Sequence, residues 1–239
     1  MLGWKRAEIV AAMAMLLSLP ASALSTWTGA ADNDWFNPDN WDPNGVPQAG
    51  ASVLINGSSA VMLTNSTPQL ADFSIQNTSR LTFSNWNTTL NAWNVSIGGG
   101  VGRETATLYH AKSDTSENSG NTNRIFIVCS NLVVHTNGMI NADNGGYWGG
   151  TNKPGLGPGG SHMTNGAAHG GLGGGVPGSN GVCYGSSNFP VELGSGASLG
   201  DGAQNPGGYG GGCIRISALN QVIINGVVSA NGSNGVARM

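Results

Sequence analysis

The chain contains little charge and little cysteine, and both shortages narrow its class. Only 9% of its 239 residues are charged, and its formal net charge is −3. Lys and Arg form no basic patch and are not interleaved with aromatic residues, which excludes the usual nucleic-acid-binding surface. Three cysteines are too few for a full disulfide framework. No long segment beyond position 23 has helical periodicity, so the abundant Asn, Ser and Thr favour an exported β-rich protein.

Positions 1–23 have the pattern of a secretory signal peptide. Lys5 and Arg6 precede an apolar run at 9–19, and Ala-Ser-Ala at 21–23 matches a cleavage site. The apolar run is too short to span a bilayer well, and no second membrane-spanning segment follows it. We therefore expect a secreted or cell-surface bacterial protein. An uncleaved membrane anchor is the alternative.

Two segments, 125–146 and 214–235, repeat one pattern. Each predicts a short apolar strand, a polar corner, a second strand, an Asn-Gly turn and a third short strand. Such a unit cannot bury its own apolar face, so it must stack on a similar unit, as in a solenoid. With one residue skipped, these pairs fall in register: Ile125/Ile214, Ile127/Ile216, Asn131/Asn220, Val133/Val222, Asn137/Asn225, Gly138/Gly226, Ile140/Val228 and Ala142/Ala230.

Short strands separated by Asn, Ser, Thr and Gly are also predicted before the first copy, at 53–55, 60–64, 72–75, 80–83, 92–97 and 105–110. The interval from Ile75 to Ile97 is close to the length of one repeat copy, so each coil is predicted to take about 22 residues. The predicted fold class is all-β, a right-handed parallel β-helix (β-solenoid). Its predicted parts are a signal peptide at 1–23, an N-terminal aromatic cap segment at 24–56, coils at 57–144, a Gly-rich insertion at 145–213, and a coil with a tail at 214–239.

The predicted insertion is very rich in glycine and holds most of the 40 glycines of the chain. It has no G-X-Y period, so it is not collagen. Taken alone, this composition cannot offset the entropy that is lost when glycine becomes ordered. Because the segment lies between two coils that must stack on each other, we expect a partly ordered insertion along the flank of the solenoid.

Strand alternation sorts the three cysteines. Cys129 is in phase with the inward-facing isoleucines of its strand and is predicted to be a small buried hydrophobic residue. Cys213 directly precedes such an isoleucine and is predicted to face outward. There it is placed to pair with Cys183 in an oxidising compartment. Free thiols at both positions are the alternative.

An aromatic opening motif leads into an apolar strand: Trp27-Thr28-Gly29, Trp35, Asn40-Trp41 and Pro47. It resembles the opening segment of large bacterial surface and autotransporter-like proteins with right-handed parallel β-helix passengers. The Gly-rich run at 207–216 and the strand pattern at 222–232 resemble the glycine-rich β-solenoid segments of such proteins. The resemblance implies an exported surface protein with an adhesive or structural role and no catalytic residues to transfer.

Four aspartates of the opening segment are the best metal candidates. Calcium favours several oxygen ligands, and closely spaced Asp and Asn residues supply them. The spacing is not that of an EF-hand loop, and Asp or Asn before Pro and Gly also forms ordinary turns. The turn interpretation is preferred, and calcium is the alternative, for Asp32, Asp34, Asp39 and Asp42.

Aromatic side chains are the candidate ligand-binding groups, because an exposed ring offers an apolar face on which a sugar can stack. For Trp27, Trp35 and Trp41 we prefer another interpretation, in which they cover the open edge of the first coil. The candidate ligand-binding residues are Trp86, Trp93, Tyr147 and Trp148.

An enzyme is the main alternative function, because parallel β-helices also host polysaccharide lyases and glycoside hydrolases. Glycoside hydrolysis needs two facing carboxylates, whereas the acids outside the opening segment are scattered. A facing pair among acids such as Asp114, Glu117 and Asp143 would indicate an enzyme. The histidines lack a metal-ligand spacing, and no G-x-S-x-G elbow is present.

We therefore expect a non-catalytic surface protein without a cofactor, in a structural or adhesive role. Its expected partners are glycans, extracellular matrix or other cells, and not nucleic acid. The sequence after Gly232 has no capping pattern, so a fragment of a larger surface protein is a further alternative.

Overall fold

The computed structural model of the chain describes residues 23–113, 122–151, 153–162, 165–175, 181–186, 188, 191–199 and 207–234. Positions 1–22 of the predicted signal peptide and 235–239 of the predicted tail lie outside these ranges, as do the acids Asp114 and Glu117. Among the described residues, no helix is long and apolar enough to cross a membrane.

The described residues form β-strands joined by turns and loops, with one 3-10 helix at Pro38–Asn40 and no α-helix. This confirms the predicted all-β class. The strands are β1 (Leu24–Trp27), β2 (Trp41–Asp42), β3 (Ser52–Ile55), β4 (Ala60–Leu63), β5 (Leu70–Ile75), β6 (Arg80–Phe83), β7 (Leu90–Ile97), β8 (Ala106–His110), β9 (Ile125–Val134), β10 (Gly138–Asn141), β11 (Gly150–Thr151), β12 (Ser198–Leu199), β13 (Ile214–Ile224) and β14 (Val227–Ser229).

Two sheets of mostly parallel strands make up the described fold. One has seven strands in the order β13-β9-β7-β5-β3-β1-β2, and the other has five in the order β14-β10-β8-β6-β4. Of the described strand pairs, only β1 and β2 run antiparallel. From β3 to β10 successive strands alternate between the two sheets, and β13 and β14 continue the alternation. Each repeat of the pattern therefore adds one parallel strand to each sheet. A short pair, β11 and β12, lies apart from both.

The spacing between stacked positions varies along the chain. The predicted spacing holds between β5 and β7, where Asp72 pairs with Asn94 at a sequence separation of 22. Ser52, however, pairs with Asp72 at a separation of 20, and Asn94 pairs with Asn131 at a separation of 37. The strands stay in register because the extra residues lie in the connecting loops, where added length costs little entropy.

Strands β9 and β13 come from the two repeat copies and pair with each other in parallel. Strands β10 and β14 do the same in the other sheet. The two copies therefore stack directly, although the Gly-rich segment separates them in sequence. The predicted pairs that are confirmed are Ile125/Ile214, Ile127/Ile216 and Ile140/Val228.

The predicted register of the polar corner is wrong by one residue. A bulge in β13 between Ala218 and Gln221 inserts an extra residue that β9 does not have. Two similar sequences do not reveal where such an extra residue lies, because the pairing partner is set by the backbone of both strands. The observed pairs are Gln221/Asn131 and Ile223/Val133, instead of Asn220/Asn131 and Val222/Val133.

Alternate residues of both sheets form one hydrophobic core. Phe73 and Ile97 of the seven-stranded sheet and Phe83 of the five-stranded sheet are at most 1% exposed. Burying a side chain of this size stabilises the fold by about 1.5–3 kcal/mol. At the far end of the stack, Ile224 and Val228 are 49% and 40% exposed. Their exposure follows from position, because no further strand is described beyond β13 and β14.

Three tryptophans of the N-terminal segment pack together in the core. The rings of Trp27 and Trp41 meet edge to face at 5.0 Å, and those of Trp35 and Trp41 at 4.8 Å. Trp41 Nε1 donates a hydrogen bond to the Trp35 carbonyl oxygen at 2.8 Å. Trp35 also lies against Phe73 of β5, with ring centroids 6.3 Å apart. All three indoles are buried, so none is available as an exposed stacking surface.

The described part of the Gly-rich segment is held by backbone hydrogen bonds between extended stretches. Gly146 N donates to the Gly210 carbonyl, and Gly210 N donates to the Tyr147 carbonyl, both at 2.9 Å. A Cβ on Gly210 would overlap the carbonyl oxygen of Gly194, so the stretches approach more closely than any other residue would allow. The high glycine content is thus a packing requirement here.

Candidate functional site

The outer side of the seven-stranded sheet carries a cluster of aromatic and cationic side chains. In β9 the inward residues are buried, so Phe126 and Val128 point outward and are half-buried. Arg215 of β13 lies beside Phe126. Trp93 of β7 also points outward and is 52% exposed. We call this surface the aromatic face, and it is formed by Trp86, Trp93, Arg124, Phe126, Val128 and Arg215.

Arg124 lies at the edge of the aromatic face between two rings. Its guanidinium carbon is 4.7 Å from the centroid of Trp86 and 4.8 Å from that of Phe126. On the neighbouring strand, the guanidinium of Arg215 lies 4.5 Å from the same Phe126 ring. Arg124 is only 7% exposed, and its Nε is buried without a hydrogen-bond partner among the described residues. Two guanidinium groups therefore share one aromatic ring.

The electrostatic surroundings of Arg124 are unusual for a buried cation. Burial lowers the pKa of Arg124, the nearby Cys213 thiol opposes this change, and Arg215 adds to it. Burial likewise raises the pKa of Cys213, which keeps the thiol protonated. In the part of the chain that is described, no carboxylate is among the groups that shift Arg124, whereas buried cations in proteins are normally paired with an anion.

A ladder of polar side chains crosses the same sheet next to Trp93. Each side chain bonds to the one on the neighbouring strand, at distances of 2.7 to 2.9 Å. Asp72 accepts from Ser52 on one side and from Asn94 on the other, and the amides continue the ladder across β7, β9 and β13. Although the backbone register differs from the prediction, the side chain of Asn220 still reaches Asn131. The ladder consists of Ser52, Asp72, Asn94, Asn131 and Asn220.

The predicted calcium residues hold turns in the N-terminal segment. Asp32 accepts hydrogen bonds from the side chains of Asn37 and Asn40 and from the Asp34 backbone, and these bonds lower the pKa of Asp32. Asp34 accepts from the Phe36 backbone at 3.1 Å. In the part of the chain that the structure describes, no three His, Cys, Asp or Glu residues come together to hold a metal ion.

The remaining two acids of the calcium prediction, Asp39 and Asp42, make other contacts. Asp39 accepts a hydrogen bond from the Asn44 side chain at 2.8 Å. Asp42 is exposed and pairs through its backbone with Thr26 of β1. The turn interpretation therefore accounts for the contacts of Asp32, Asp34 and Asp39.

The four predicted ligand-binding residues lie in two separate places. Trp86 and Trp93 belong to the aromatic face, whereas Tyr147 and Trp148 belong to the Gly-rich segment. Trp148 is 38% exposed. Tyr147 lies against Gly157, where a Cβ would stand 2.5 Å from its ring. The sheet therefore offers the more extended surface, because Phe126 and Val128 of β9 also point outward.

A groove of about 690 Å³ separates the Gly-rich segment from the last coil. It is lined in part by His169, Glu192 and Cys213. The ring of His169 meets Tyr184 edge to face at 4.5 Å. Asp143, one of the acids that would indicate an enzyme, instead accepts hydrogen bonds from Asn231 and Ser229 and braces a turn.

The predicted outward orientation of Cys213 is wrong. Cys213 is 5% exposed, and its thiol lies 3.6 Å from the Val191 carbonyl oxygen. The residue precedes the first position of β13, so strand alternation does not govern it, and the Val191 carbonyl group lies against its thiol. Cys183 is exposed, and both thiols are free in the structure. Cys129 is buried, in agreement with its predicted inward position.

Sequence reasoning did not select Arg124, Phe126 or Arg215. The signal was available in the repeat, because Ile125 beside Ile214 also brings Phe126 beside Arg215. The position of Trp86 over Arg124 had no such signal. It depends on the loop between β6 and β7, whose path no alternation predicts.

A stretch of the chain from 40 to 114 matches the model of the G8 domain, a β-rich domain of extracellular type. The match covers less than half of the chain, from the 3-10 helix through β8. It agrees with the expected extracellular location and does not confirm the predicted resemblance to autotransporter-like passengers. No curated protein and no solved structure matches the chain.

Proposed function

We propose that the chain is an exported, surface-associated module that binds glycans and has a structural or adhesive role without catalytic activity. In this proposal the two sheets are walls of a right-handed parallel β-helix, and the tryptophan-rich segment closes one end. The G8 match over 40–114 supports an extracellular setting. The alternation of strands between two parallel sheets supports the helical path.

The observation that carries glycan binding is the exposure of Trp93 on a face that Phe126 and Trp86 extend. A tryptophan that is 52% exposed in the middle of a sheet costs solvation energy, whereas Trp35 in the same chain is fully buried. The exposed indole is adjacent to the ladder amide of Asn94. Aromatic rings that flank amide groups offer stacking and hydrogen bonds together, which is what a sugar ring requires.

The proposal is tested by screening the purified chain on a glycan and polysaccharide array while also measuring release of reducing or unsaturated ends. We expect binding without turnover. Trp93→Ala should weaken binding about three- to tenfold, the effect of losing one aromatic contact. Trp148→Ala is the matched control, because it removes the partly exposed tryptophan of the other candidate place.

Two outcomes would overturn the proposal, and a third would move its binding site. Turnover of a polysaccharide would replace it with the carbohydrate-active enzyme alternative. Absence of binding to every glycan would remove the ligand class. If Trp148→Ala abolished binding while Trp93→Ala did not, the site would belong to the Gly-rich segment and not to the aromatic face.

A further inference from the structure

Arg124 is a buried cation whose charge and hydrogen-bonding groups are only partly compensated by the described residues. Its side chain is 7% exposed, and its Nε is shielded from solvent without a hydrogen-bond partner among the described residues. A buried ion without a counter-charge is strongly unfavourable. Arg215 is close enough to add repulsion. The local arrangement is therefore costly unless something offsets it.

Stacking offsets a fraction of this cost. Two rings, Trp86 and Phe126, lie against the Arg124 guanidinium, and each attracts it more weakly than a paired anion would. Stacking uses the flat faces of the guanidinium and does not satisfy its in-plane N–H donors, of which Nε–H has no partner among the described residues. The N–H groups of a guanidinium can donate two parallel hydrogen bonds to one oxyanion.

We propose that Arg124 and Arg215 form an anion site at the edge of the aromatic face, and that it takes the carboxylate or sulfate groups of an acidic polysaccharide. This inference rests on the proposed glycan-binding function and narrows its ligand class. The anionic group lies against the two guanidiniums, and the sugar rings extend along the face towards Trp93.

The charge of the rest of the molecule makes this assignment specific. The chain carries 9 Lys and Arg against 12 Asp and Glu, so its overall field does not attract anions. Arg124, which directly precedes β9, and Arg215 of β13 share the Phe126 ring and form a local exception. Arg80 over Tyr109, at 4.1 Å, is a single arginine–aromatic pair at an exposed position of the other sheet and serves as the internal comparison.

The test measures binding of three polymers to the chain by calorimetry: polygalacturonate for carboxylate, dextran sulfate for sulfate, and uncharged dextran. We expect at least one charged polymer to bind more tightly than dextran. Arg124→Gln should weaken that binding about tenfold or more, as expected for loss of a charge-assisted contact. Arg80→Gln, the matched control, should change it less than about twofold.

A second variant keeps the test valid if Arg124→Gln does not fold, as judged by circular dichroism. Arg215 is half-buried on β13, the last described strand of its sheet. The Arg215→Gln variant should therefore also weaken binding of the charged polymer. Which charged polymer binds identifies the anionic group. Raising the salt concentration should reduce binding of that polymer, because the contact is ionic.

The outcomes separate this inference from the proposed function. Equal binding of dextran and both charged polymers, unchanged in Arg124→Gln and Arg215→Gln, would overturn the anion site and leave glycan binding intact. Equal losses in Arg124→Gln and Arg80→Gln would overturn it too, because they would show attraction by general charge. If none of the three polymers bound and the chain bound no glycan on the array, both the proposed function and the anion site would be overturned.

Discussion

The imidazole of His110 and Gly145 are in direct contact, and a Cβ on Gly145 would overlap the ring. Gly212 lies against the same imidazole, so a Cβ there would overlap it as well. The chain thus leaves the coil stack at one of these glycines and returns at the other. His110, at the end of β8, is 1% exposed beneath them. One buried histidine therefore packs against both ends of the Gly-rich segment.

Replacing Gly145 with alanine should destabilise the protein by about 1–3 kcal/mol, because the new methyl group overpacks a filled site. In a His110→Ala background the same replacement should cost less, because the ring that it would strike is gone. The next nearest atom to the added Cβ, the Ala142 carbonyl oxygen, is 3.2 Å away. Urea unfolding of the two single variants and the double variant gives the coupling energy.

Gly171→Ala is the control for this cycle, since a Cβ at Gly171 meets no described atom within 4 Å. It should change the free energy of unfolding by less than about 0.5 kcal/mol. If the changes in unfolding free energy of Gly145→Ala and His110→Ala simply added in the double variant, the result would contradict the contact between the two residues.

The buried His110 should also make stability depend on pH. Burial lowers the pKa of His110 below its ordinary value of 6.5, outweighing the opposite effect of its bond to the Ala111 carbonyl. Nδ1 donates that bond at 2.7 Å, so Nε2 is the unprotonated nitrogen, and it is buried without a partner among the described residues. The neutral form is favoured in the folded state. Its contribution is full above pH 6.5 and is lost as the pH falls through the folded pKa.

Urea unfolding at pH 8, 6 and 5 measures this dependence. In His110→Gln the part of the pH dependence that lies below pH 6.5 should shrink. His135→Gln is the comparison, because His135 is half-buried and its Nε2 already bonds to Ser96 Oγ at 3.1 Å. An unchanged slope in His110→Gln would assign the acid sensitivity to other groups.

Two isoleucines at paired positions should differ in their contribution to stability. Ile127 is fully buried within the stack, whereas its partner Ile216 lies on the last coil and is only partly covered. Ile127→Ala should cost about 2–5 kcal/mol. Ile216→Ala should cost less than half of that, because its side chain loses fewer packing contacts. Equal costs in urea unfolding would mean that β13 is covered in solution.

The three thiols should differ in reactivity. Cys183 is exposed and should react with a thiol reagent in the folded protein. Cys129 and Cys213 are buried, and burial raises the pKa of both, so they should react only on unfolding. If no thiol reacted in the folded protein and only one appeared after unfolding without reductant, the predicted Cys183–Cys213 disulfide would have formed.

Strand positions were predictable where alternation was clear. The strand predicted at 80–83 has the bounds of β6, and the one predicted at 60–64 is a residue longer than β4. Alternation of apolar and polar side chains is a local property, since successive residues of any strand point to opposite faces. β1 was not predicted, because its residues become a strand through pairing with β3, a contact that is distant in sequence.

The candidate site was predictable only in part for the same reason. Trp93 was selected because tryptophan is a sugar-stacking residue wherever it is exposed. Its exposure, and the burial of Trp41, depend on which face each strand turns inward, and the burial of Trp35 depends on the path of a turn. The spacing of acids makes Asp32 a metal candidate, whereas in the structure its side chain bonds to those of Asn37 and Asn40.

The sequence by itself determined the all-β class, the repeat, and the inward row that places Cys129 in the core. These follow from short-range periodicity, which requires no knowledge of neighbours. Only the tertiary structure decided that Arg124 stacks between Trp86 and Phe126, and that His110 lies under two glycines. Such contacts join residues whose separation depends on loop paths and bulges, and no local pattern encodes those.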